Sequence, residues 1–343
     1  MPAYLLAFLF LLLLGGCSES KPEAIKLQGE TMGTTWSASI LPPDTRKAAF
    51  PDGVTLKSGM DQVLKTVNDQ MSTWQKDSEL SAFNRYQQSG WFPVSQQLAQ
   101  VTQAALAVSE LSGGQYDVTV GPLVELWGFG TVKKGDLPVV PEQSVIDNTL
   151  LNVGYSKLAV RLDPPALQKQ VSGLYVDLSS IAKGYGVDQL AAYLDQLGVI
   201  SYMVEIGGEI HVKGESPRGD NWRIAVEKPI DLGRAIQQGL TLKSGGLATS
   251  GDYRNFFSAG GKRYSHTLNP VSGYPVKHSL ASVSVMAENT MLADAYATML
   301  MAMGDVKGKA FAVDKGLDAY FIWRTDAGFE TFMTGGFEQV FIQ

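Results

Sequence analysis

Apolar residues recur at the three- and four-residue spacing of an amphipathic helix in four segments of this chain. Ser58 lies where a side-chain N-cap of the first helix is expected. A glycine follows each of the other three segments, as is common at helix ends. The pattern predicts helices over residues 58–71, 97–111, 185–197 and 291–303, the last three ended by Gly113, Gly198 and Gly304.

Short runs of β-branched and aromatic residues lie between these helices and predict strands. Helices and strands are interspersed, without the regular alternation of a parallel βαβ fold. We therefore predict an α+β fold, with mixed or antiparallel sheets and packed helices in a single compact domain. The predicted strands cover 174–178, 201–205, 209–212, 222–227 and 282–287, with a hairpin made by 319–323 and 330–333.

The N-terminus carries a targeting signal, which is set apart from the fold. Residues 3–14 form an apolar run too short to span a bilayer as a mature helix, and the run leads into Gly15-Gly16-Cys17. Small residues before a cysteine are typical of the site that lipoprotein signal peptidase cleaves. Cys17 is the only cysteine in the chain, and its position at the end of the run disfavours the alternative, a buried free thiol.

These features predict three parts of the chain. Residues 1–16 are a lipoprotein signal peptide, residues 17–25 are a tether lipidated at Cys17, and residues 26–343 are one folded domain. A serine at position 18, directly after the lipidated cysteine, favours sorting to the outer membrane.

Composition and charge narrow the possible partners. The chain is 45% hydrophobic and carries a net charge of −6 without a basic cluster, which argues against nucleic acid and against a polybasic membrane patch. Membrane contact is therefore expected from the lipid alone. The charge is compatible with a monomer or a small oligomer, and we predict a monomer.

The segment from Asp177 to Gly184 concentrates residues that bind anions. Asp177 ends a predicted strand, and Ser179 and Ser180 precede a predicted helix. The N–H groups at a helix start attract phosphate, and Lys183 would add a cation there. An ordinary capping motif with a solvated lysine explains the segment equally well.

Asp294 and Thr298 lie four residues apart on a predicted helix and therefore share a face. Their oxygens could bind one hard cation such as Mg²⁺, which prefers one or two carboxylates together with phosphate oxygens. The alternative, a threonine bonded to its own helix, is favoured by the spacing alone.

Among the three histidines, His266 is the best candidate for a general base, because it lies in a loop before an Asn-Pro turn. Glycines and aromatic residues are also concentrated around Met32, Trp74 and the segment 116–130. Methionine and tryptophan can sandwich a planar ring, although such residues are more often part of a core.

Taken in order, these segments resemble the FAD:protein FMN transferase (ApbE) family along nearly the whole mature chain. The similar motifs are MGTTW (32–36), MSTW with a following S-x-L-x-x-FN (71–84), GGQYDVTVGPL with LWGFG (113–130), VDLSSIAKGYGVD (176–188), EIGGEI (205–210), TSGDYRNFF (249–257), HTLNPVSGYPV (266–276) and LADAYATML (292–300). Three positions depart from the family pattern: Trp74 replaces a frequent tyrosine, Asn269 an aspartate and Ser272 a threonine.

The resemblance implies a fold related to the tunnelling (T-) fold, with a central flavin cleft. It implies that Asp294 and Thr298 bind Mg²⁺ with main-chain oxygens near Ser180 and Ala297, and that His266 is catalytic. The residues it places against FAD are Met32, Trp74, Asp117, Val118, Thr119, Asp177, Lys183 and Leu268.

The implied activity is a Mg²⁺-dependent transfer of FMN from FAD to a Thr or Ser hydroxyl, with release of AMP. A Mg²⁺-dependent FAD pyrophosphatase and a non-catalytic periplasmic flavin carrier remain alternatives. The implied partners are periplasm-facing flavoprotein subunits of Na⁺-translocating NADH:quinone reductase or Rnf-type complexes. These partners favour the periplasmic face of the inner membrane, whereas Ser18 favours the outer membrane.

Overall fold

The computed structural model describes residues 23–43, 50–130, 140–230, 233, 235–253 and 256–342. Cys17 and the predicted signal peptide lie outside these residues. The strands are β1 (Ile25–Thr31), β2 (Thr34–Leu41), β3 (Phe92–Pro93), β4 (Leu158–Leu162), β5 (Pro165–Lys169), β6 (Ser201–Ile206), β7 (Glu209–Lys213), β8 (Trp222–Glu227), β9 (Ile236–Leu242), β10 (Ser244–Gly251), β11 (Phe256–Ala259), β12 (Lys262–Ser265), β13 (Leu280–Ala287), β14 (Asp318–Thr325) and β15 (Gly328–Met333).

The helices are α1 (Gly53–Met71), α2 (Glu79–Arg85), α3 (Gln96–Leu111), α4 (Gly121–Leu126), α5 (Gln143–Leu150), α6 (Ala182–Gln196), α7 (Thr290–Lys315) and α8 (Gly335–Glu338), with a short 3₁₀ turn at Tyr155–Lys157. None of the helices in the described ranges combines the length and the hydropathy needed to cross a bilayer.

One antiparallel sheet organises the molecule. Its eight strands run in the order β1-β2-β6-β7-β10-β13-β14-β15. Side chains alternate between the two faces of a strand, and β14 shows both environments. Ala319 and Phe321 pack under the helices in the largest apolar cluster, whereas Tyr320 and Ile322 pack against β8, β9 and the C-terminal segment. The predicted α+β class is confirmed.

The first helix begins earlier than predicted. Asp52, and not Ser58, is the N-cap, because its carboxylate accepts a hydrogen bond from Thr55 N at 2.8 Å. The apolar face then starts at Leu56, which is fully buried. The predicted start at Ser58 is therefore wrong by about one and a half turns, while the end at Met71 is confirmed.

The predicted strand over 174–178 is wrong. The segment is largely buried, but its main chain pairs with the Asn84 side chain and with Val118 O and not with a strand. Val176 N donates to Asn84 Oδ1 and Asn84 Nδ2 donates to Val176 O, both at 2.8 Å. The serines that follow are not helix caps either: α6 begins at Ala182, and its N-cap position, Ile181, makes no side-chain capping bond.

The predicted end of the fourth helical segment at Gly304 is confirmed, but the chain resumes a helix directly after it, so that α7 as a whole reaches Lys315. Gly304 interrupts it with a left-handed φ of 81° and a ψ of −179°. His278 explains the glycine: its Nε2 lies 2.8 Å from Met301 O, and a Cβ at position 304 would come within 2.6 Å of the His278 ring.

Candidate active site

A cavity of about 1150 Å³ opens between the starts of α6 and α7 on one side and the segments 115–130 and 256–270 on the other. Its volume is slightly larger than the range typical of small-molecule sites, about 300 to 1,000 Å³. Nine of the residues singled out in the sequence line it: Trp74, Asp117, Asp177, Ser180, Lys183, His266, Leu268, Asp294 and Thr298.

Four other residues singled out in the sequence do not line the cavity. Val118, Thr119 and Ala297 are buried in the protein interior. Met32 forms the turn between β1 and β2 with a φ of 50° and packs against two apolar clusters. These four side chains therefore belong to the packing of the protein and do not contact a ligand in the cavity.

Lys183 lies between two buried carboxylates. Its Nζ is 2.5 Å from Glu209 Oε1 and 3.8 Å from Asp294 Oδ1. Burial alone would disfavour the ammonium charge, but the charges of Asp294 and Glu209 outweigh it and raise the pKa of Lys183. Glu209 was not singled out by its sequence, although a charged residue directly after Gly207-Gly208 at the start of a strand is a detectable signal.

One ammonium group cannot neutralise two carboxylates, so this cluster holds a surplus negative charge whenever both carboxyl groups are ionised. Burial raises the pKa of Glu209 to about 7, and burial also raises the pKa of Asp294. Glu209 Oε2 is buried without a hydrogen-bond partner among the described residues. A second cation would satisfy both the charge and the unpaired oxygen.

The acidic character extends over the whole cavity. Among its described lining residues, seven acidic side chains accompany one lysine: Asp117, Glu125, Asp177, Glu205, Glu209, Glu227 and Asp294, with Lys183. An anionic ligand would be repelled from such a lining unless a cation entered with it.

The carboxylate of Asp294 is held by the start of α6. Its Oδ2 accepts a hydrogen bond from Gly184 N at 3.0 Å. The two helices can approach this closely because residue 184 is a glycine: a Cβ there would lie 2.3 Å from Thr290 O. The helix-start position that the sequence suggested for a phosphate is therefore occupied, at Gly184, by a carboxylate of the protein.

A second carboxylate connects the same two helices, but it lies on α6 and accepts its hydrogen bonds from α7. Asp188 on α6 accepts hydrogen bonds from Thr290 N at 2.9 Å and Met291 N at 2.8 Å, the first turn of α7. His211 Nδ1 lies 3.2 Å from the same carboxylate. Asp188 therefore fixes the helix that carries Asp294 and Thr298, a role that its sequence position does not reveal.

The loop carrying His266 and Leu268 forms the opposite wall. His266 contacts the edge of the Phe129 ring at 6.3 Å between centroids. The turn that follows is closed by Asn269, whose Oδ1 accepts hydrogen bonds from Val271 N and Ser272 N at 2.9 Å. Asparagine therefore makes both acceptor contacts that an aspartate would make at this position.

Asp117 ties two loops together beneath the cavity. Its carboxylate accepts hydrogen bonds from Thr119 N at 2.7 Å and from Tyr155 N at 2.7 Å. Thr119 extends the link, because its hydroxyl donates to Asp117 and accepts from Gly154 N. Burial raises the pKa of Asp117 despite these bonds.

The donor set fits a magnesium ion that shares its coordination with a ligand. Asp294 supplies a carboxylate and Thr298 a hydroxyl at one side of the cavity, and hard oxygen donors are what Mg²⁺ prefers. Within the described part of the chain, no three His, Cys, Asp or Glu side chains converge as an all-protein metal site would require. Phosphate oxygens of a ligand would complete such a site.

The chain is similar to characterised proteins over nearly its whole length. The ApbE family model matches residues 32–321. A FAD:protein FMN transferase from Vibrio cholerae serotype O1 is 43% identical over 338 residues, which cover 98% of each chain. The corresponding protein from Haemophilus influenzae is 40% identical, covering 98% of this chain and 96% of its own.

The similarity extends to three dimensions. The solved structure of the flavin transferase ApbE from Vibrio cholerae matches this fold with a TM-score of 0.84 at 41% identity, and the match covers 93% of this chain and 99% of that one. Because the family model, the relatives and the fold agree over the same residues, the chain belongs to the ApbE family.

Proposed function

We propose that this chain is a Mg²⁺-dependent FAD:protein FMN transferase, which moves FMN from FAD to a threonine or serine hydroxyl of an acceptor protein. Relatives with that transferase name reach 43% identity over nearly the full length. The observation that carries the proposal is the meeting of Lys183, His266, Asp294 and Thr298 in one cavity. A base, a fixed cation and two hard oxygen donors are the groups that phosphoryl transfer needs.

The acid-lined cavity supports the metal requirement. The pyrophosphate of FAD is anionic, and one lysine does not balance the acidic lining. Asp294 and Thr298 would hold Mg²⁺, with main-chain oxygens near Ser180 and Ala297 as further candidate donors. When bound, the ion supplies charge neutralisation at the phosphate oxygens and Lewis-acid polarisation of the phosphorus.

Other residues of the chain supply positive charge, a stacking surface for the flavin and a general base. Lys183 adds positive charge beside the phosphates, and Trp74, whose side chain is 69% exposed, offers a ring on which the flavin stacks. His266 accepts the proton of the acceptor hydroxyl. The hydroxyl oxygen bonds to the FMN phosphorus, the bond from that phosphorus to the AMP oxygen breaks, and AMP leaves.

The proposed acceptors are periplasm-facing flavoprotein subunits of Na⁺-translocating NADH:quinone reductase or of Rnf-type complexes. The proposed location is the periplasmic face of a bacterial membrane, with a lipid on Cys17 as the anchor. These acceptors favour the inner membrane, and the chain acts as a monomer.

The test mixes the full chain in detergent with FAD, Mg²⁺ and the reductase subunit, and follows covalent flavin fluorescence on a denaturing gel together with AMP release. We expect labelling that is lost in Asp294→Ala and without metal, and kept in Asp314→Ala, which alters an exposed carboxylate on the same helix. His266→Ala should bind FAD without transferring FMN.

Other outcomes would identify the alternatives. AMP release without a labelled acceptor would indicate a FAD pyrophosphatase, in which water replaces the hydroxyl. FAD binding without AMP release would indicate a flavin carrier. Either result would refute the proposed transfer.

A further inference from the structure

The strand β8 has one paired edge and one open edge. It pairs antiparallel with β9, from Trp222 opposite Leu242 to Glu227 opposite Ile236. Among the strands of the described residues, none pairs with the other edge of β8. An open edge presents main-chain donors and acceptors to any extended chain that approaches it.

This open edge borders the candidate active site. Four consecutive residues, from Ile224 to Glu227, line the cavity. Because side chains alternate between the faces of a strand, a strand that lined the cavity with one face would contribute every second residue. A run of consecutive residues indicates that the edge of β8 faces the cavity.

The register of the neighbouring strand identifies the main-chain groups at that edge. On the far side of β9, Gly239 O accepts from Ile342 N at 2.9 Å, and Thr241 N donates to Val340 O at 2.7 Å. Successive residues of a strand direct their main-chain groups to opposite sides, so Leu240 faces β8. Its partner in the register is Ile224.

It follows that Ala225 directs its N–H and C=O away from β9, toward the open edge. Its side chain is a single methyl group, and the residue is exposed. Small size and exposure leave the main chain of Ala225 accessible from the cavity. Arg223 lies at the same edge but does not line the cavity, so the accessible stretch is short.

We propose that the open edge of β8 binds the acceptor protein as an added strand, with Ala225 N–H and C=O pairing to an extended segment that carries the reactive hydroxyl. This inference rests on the proposed transferase activity, which requires an acceptor segment to enter the cavity beside FAD. Main-chain pairing is a common way to bind an extended peptide, and it accepts different acceptor sequences because it reads no side chain.

The test replaces Ala225 with proline in the full chain, which removes the N–H at the open edge and leaves the bonds between Ile224 and Leu240 in place. Proline is tolerated at strand edges. With the periplasm-facing subunit of Na⁺-translocating NADH:quinone reductase as acceptor, we expect the KM for the acceptor to rise about tenfold. The KM and the Kd for FAD should not change.

The matched control is Arg223→Pro, which removes the N–H at the same edge outside the cavity and should keep the wild-type KM for the acceptor. A wild-type KM in Ala225→Pro would overturn the added-strand proposal and leave the transferase intact. Weaker FAD binding in Ala225→Pro would also overturn it, because the edge would then contact the flavin nucleotide. Failure of the wild type to label the acceptor would instead refute the transferase itself.

A second measurement does not depend on folding of a variant. Hydrogen exchange of wild-type residues 222–228 is followed with the same acceptor, and FAD is withheld so that no turnover occurs. We expect the amide of Ala225 to exchange more slowly when the acceptor is added, while the amide of Ile224 is already protected. Unchanged exchange at Ala225 at a saturating acceptor concentration would overturn the proposal.

Discussion

Replacing Glu209 with glutamine isolates the role of the surplus negative charge in the cavity. The substitution keeps the shape of the side chain and removes its charge. Lys183 Nζ lies 2.5 Å from Glu209 Oε1 and 3.8 Å from Asp294 Oδ1. Without the Glu209 charge, Asp294 becomes the nearest anionic partner of Lys183, and the ammonium group then competes with Mg²⁺ for this carboxylate.

The geometry sets the size of the effect. Opposite unit charges 3.8 Å apart attract each other by about 4 kcal/mol at an effective dielectric constant of about 20. Lys183 is 29% exposed, so water screens part of this attraction. The wild type already makes this contact, so only the strengthening that follows loss of the Glu209 charge opposes Mg²⁺ binding. A net change of about 1.4 kcal/mol would correspond to a tenfold weaker Mg²⁺ affinity.

The assay is calorimetric titration of Mg²⁺ in the presence of ADP, which supplies a pyrophosphate. The matched control is Glu205→Gln, because Glu205 lines the same cavity but accepts its hydrogen bonds from Ser37 and Gly208. We expect about tenfold weaker Mg²⁺ binding in Glu209→Gln and less than a twofold change in the control. Equal Mg²⁺ affinity in Glu209→Gln and wild type would refute this reasoning, and equal weakening in both variants would show that only the total charge matters.

Three further predictions follow from burial and packing. Trp74→Ala should weaken FAD binding about tenfold, measured by fluorescence titration, while the free energy of unfolding changes by less than about 0.5 kcal/mol. The control Trp91→Ala, at a residue outside the cavity, should leave FAD binding unchanged. Gly184→Ala should lower the free energy of unfolding by about 3 kcal/mol in urea denaturation, because the new Cβ would collide with Thr290 O. The control Gly335→Ala should leave the free energy of unfolding unchanged, because a Cβ at position 335 would meet no atom within 4 Å. Burial raises the pKa of Glu209 from 4.5 to about 7, so the contribution of this group to stability is complete below pH 4.5 and is lost as the pH rises through 7. Between these pH values the free energy of unfolding should therefore fall more for the wild type than for Glu209→Gln. Urea denaturation in EDTA measures this difference.

The elements that could be predicted from the sequence are those whose own side chains determine them. The apolar face of α3 and the alternating residues of β8 match their predicted spans within one residue. The segment 174–178 has the same apolar character as a strand, but Asn84 binds its main chain from 92 positions away. A distant side-chain partner leaves no local signal, so this element could not be distinguished from a strand.

The candidate site also contains residues that the sequence reveals and residues whose roles depend on distant partners. Asp294, Thr298 and His266 carry chemistry that their residue types reveal, and all three line the cavity. The roles of Glu209 and Asp188 depend on contacts across the fold, with Lys183 and with the start of α7. The continuation of α7 beyond Gly304 could not be predicted either. A glycine that ends one helical segment does not prevent the chain from resuming a helix after a single non-helical residue.

The hydrogen bonds from the first turn of α7 to Asp188 have a consequence for movement. Together with the bond between Gly184 N and Asp294, they lock α6 and α7 into one rigid body, so the wall that carries Lys183, Asp294 and Thr298 moves as a unit. A substrate as long as FAD must enter and its products must leave. Lys183, Asp294 and Thr298 are therefore held in place before a ligand enters, whereas His266 lies on a separate loop that these hydrogen bonds do not fix.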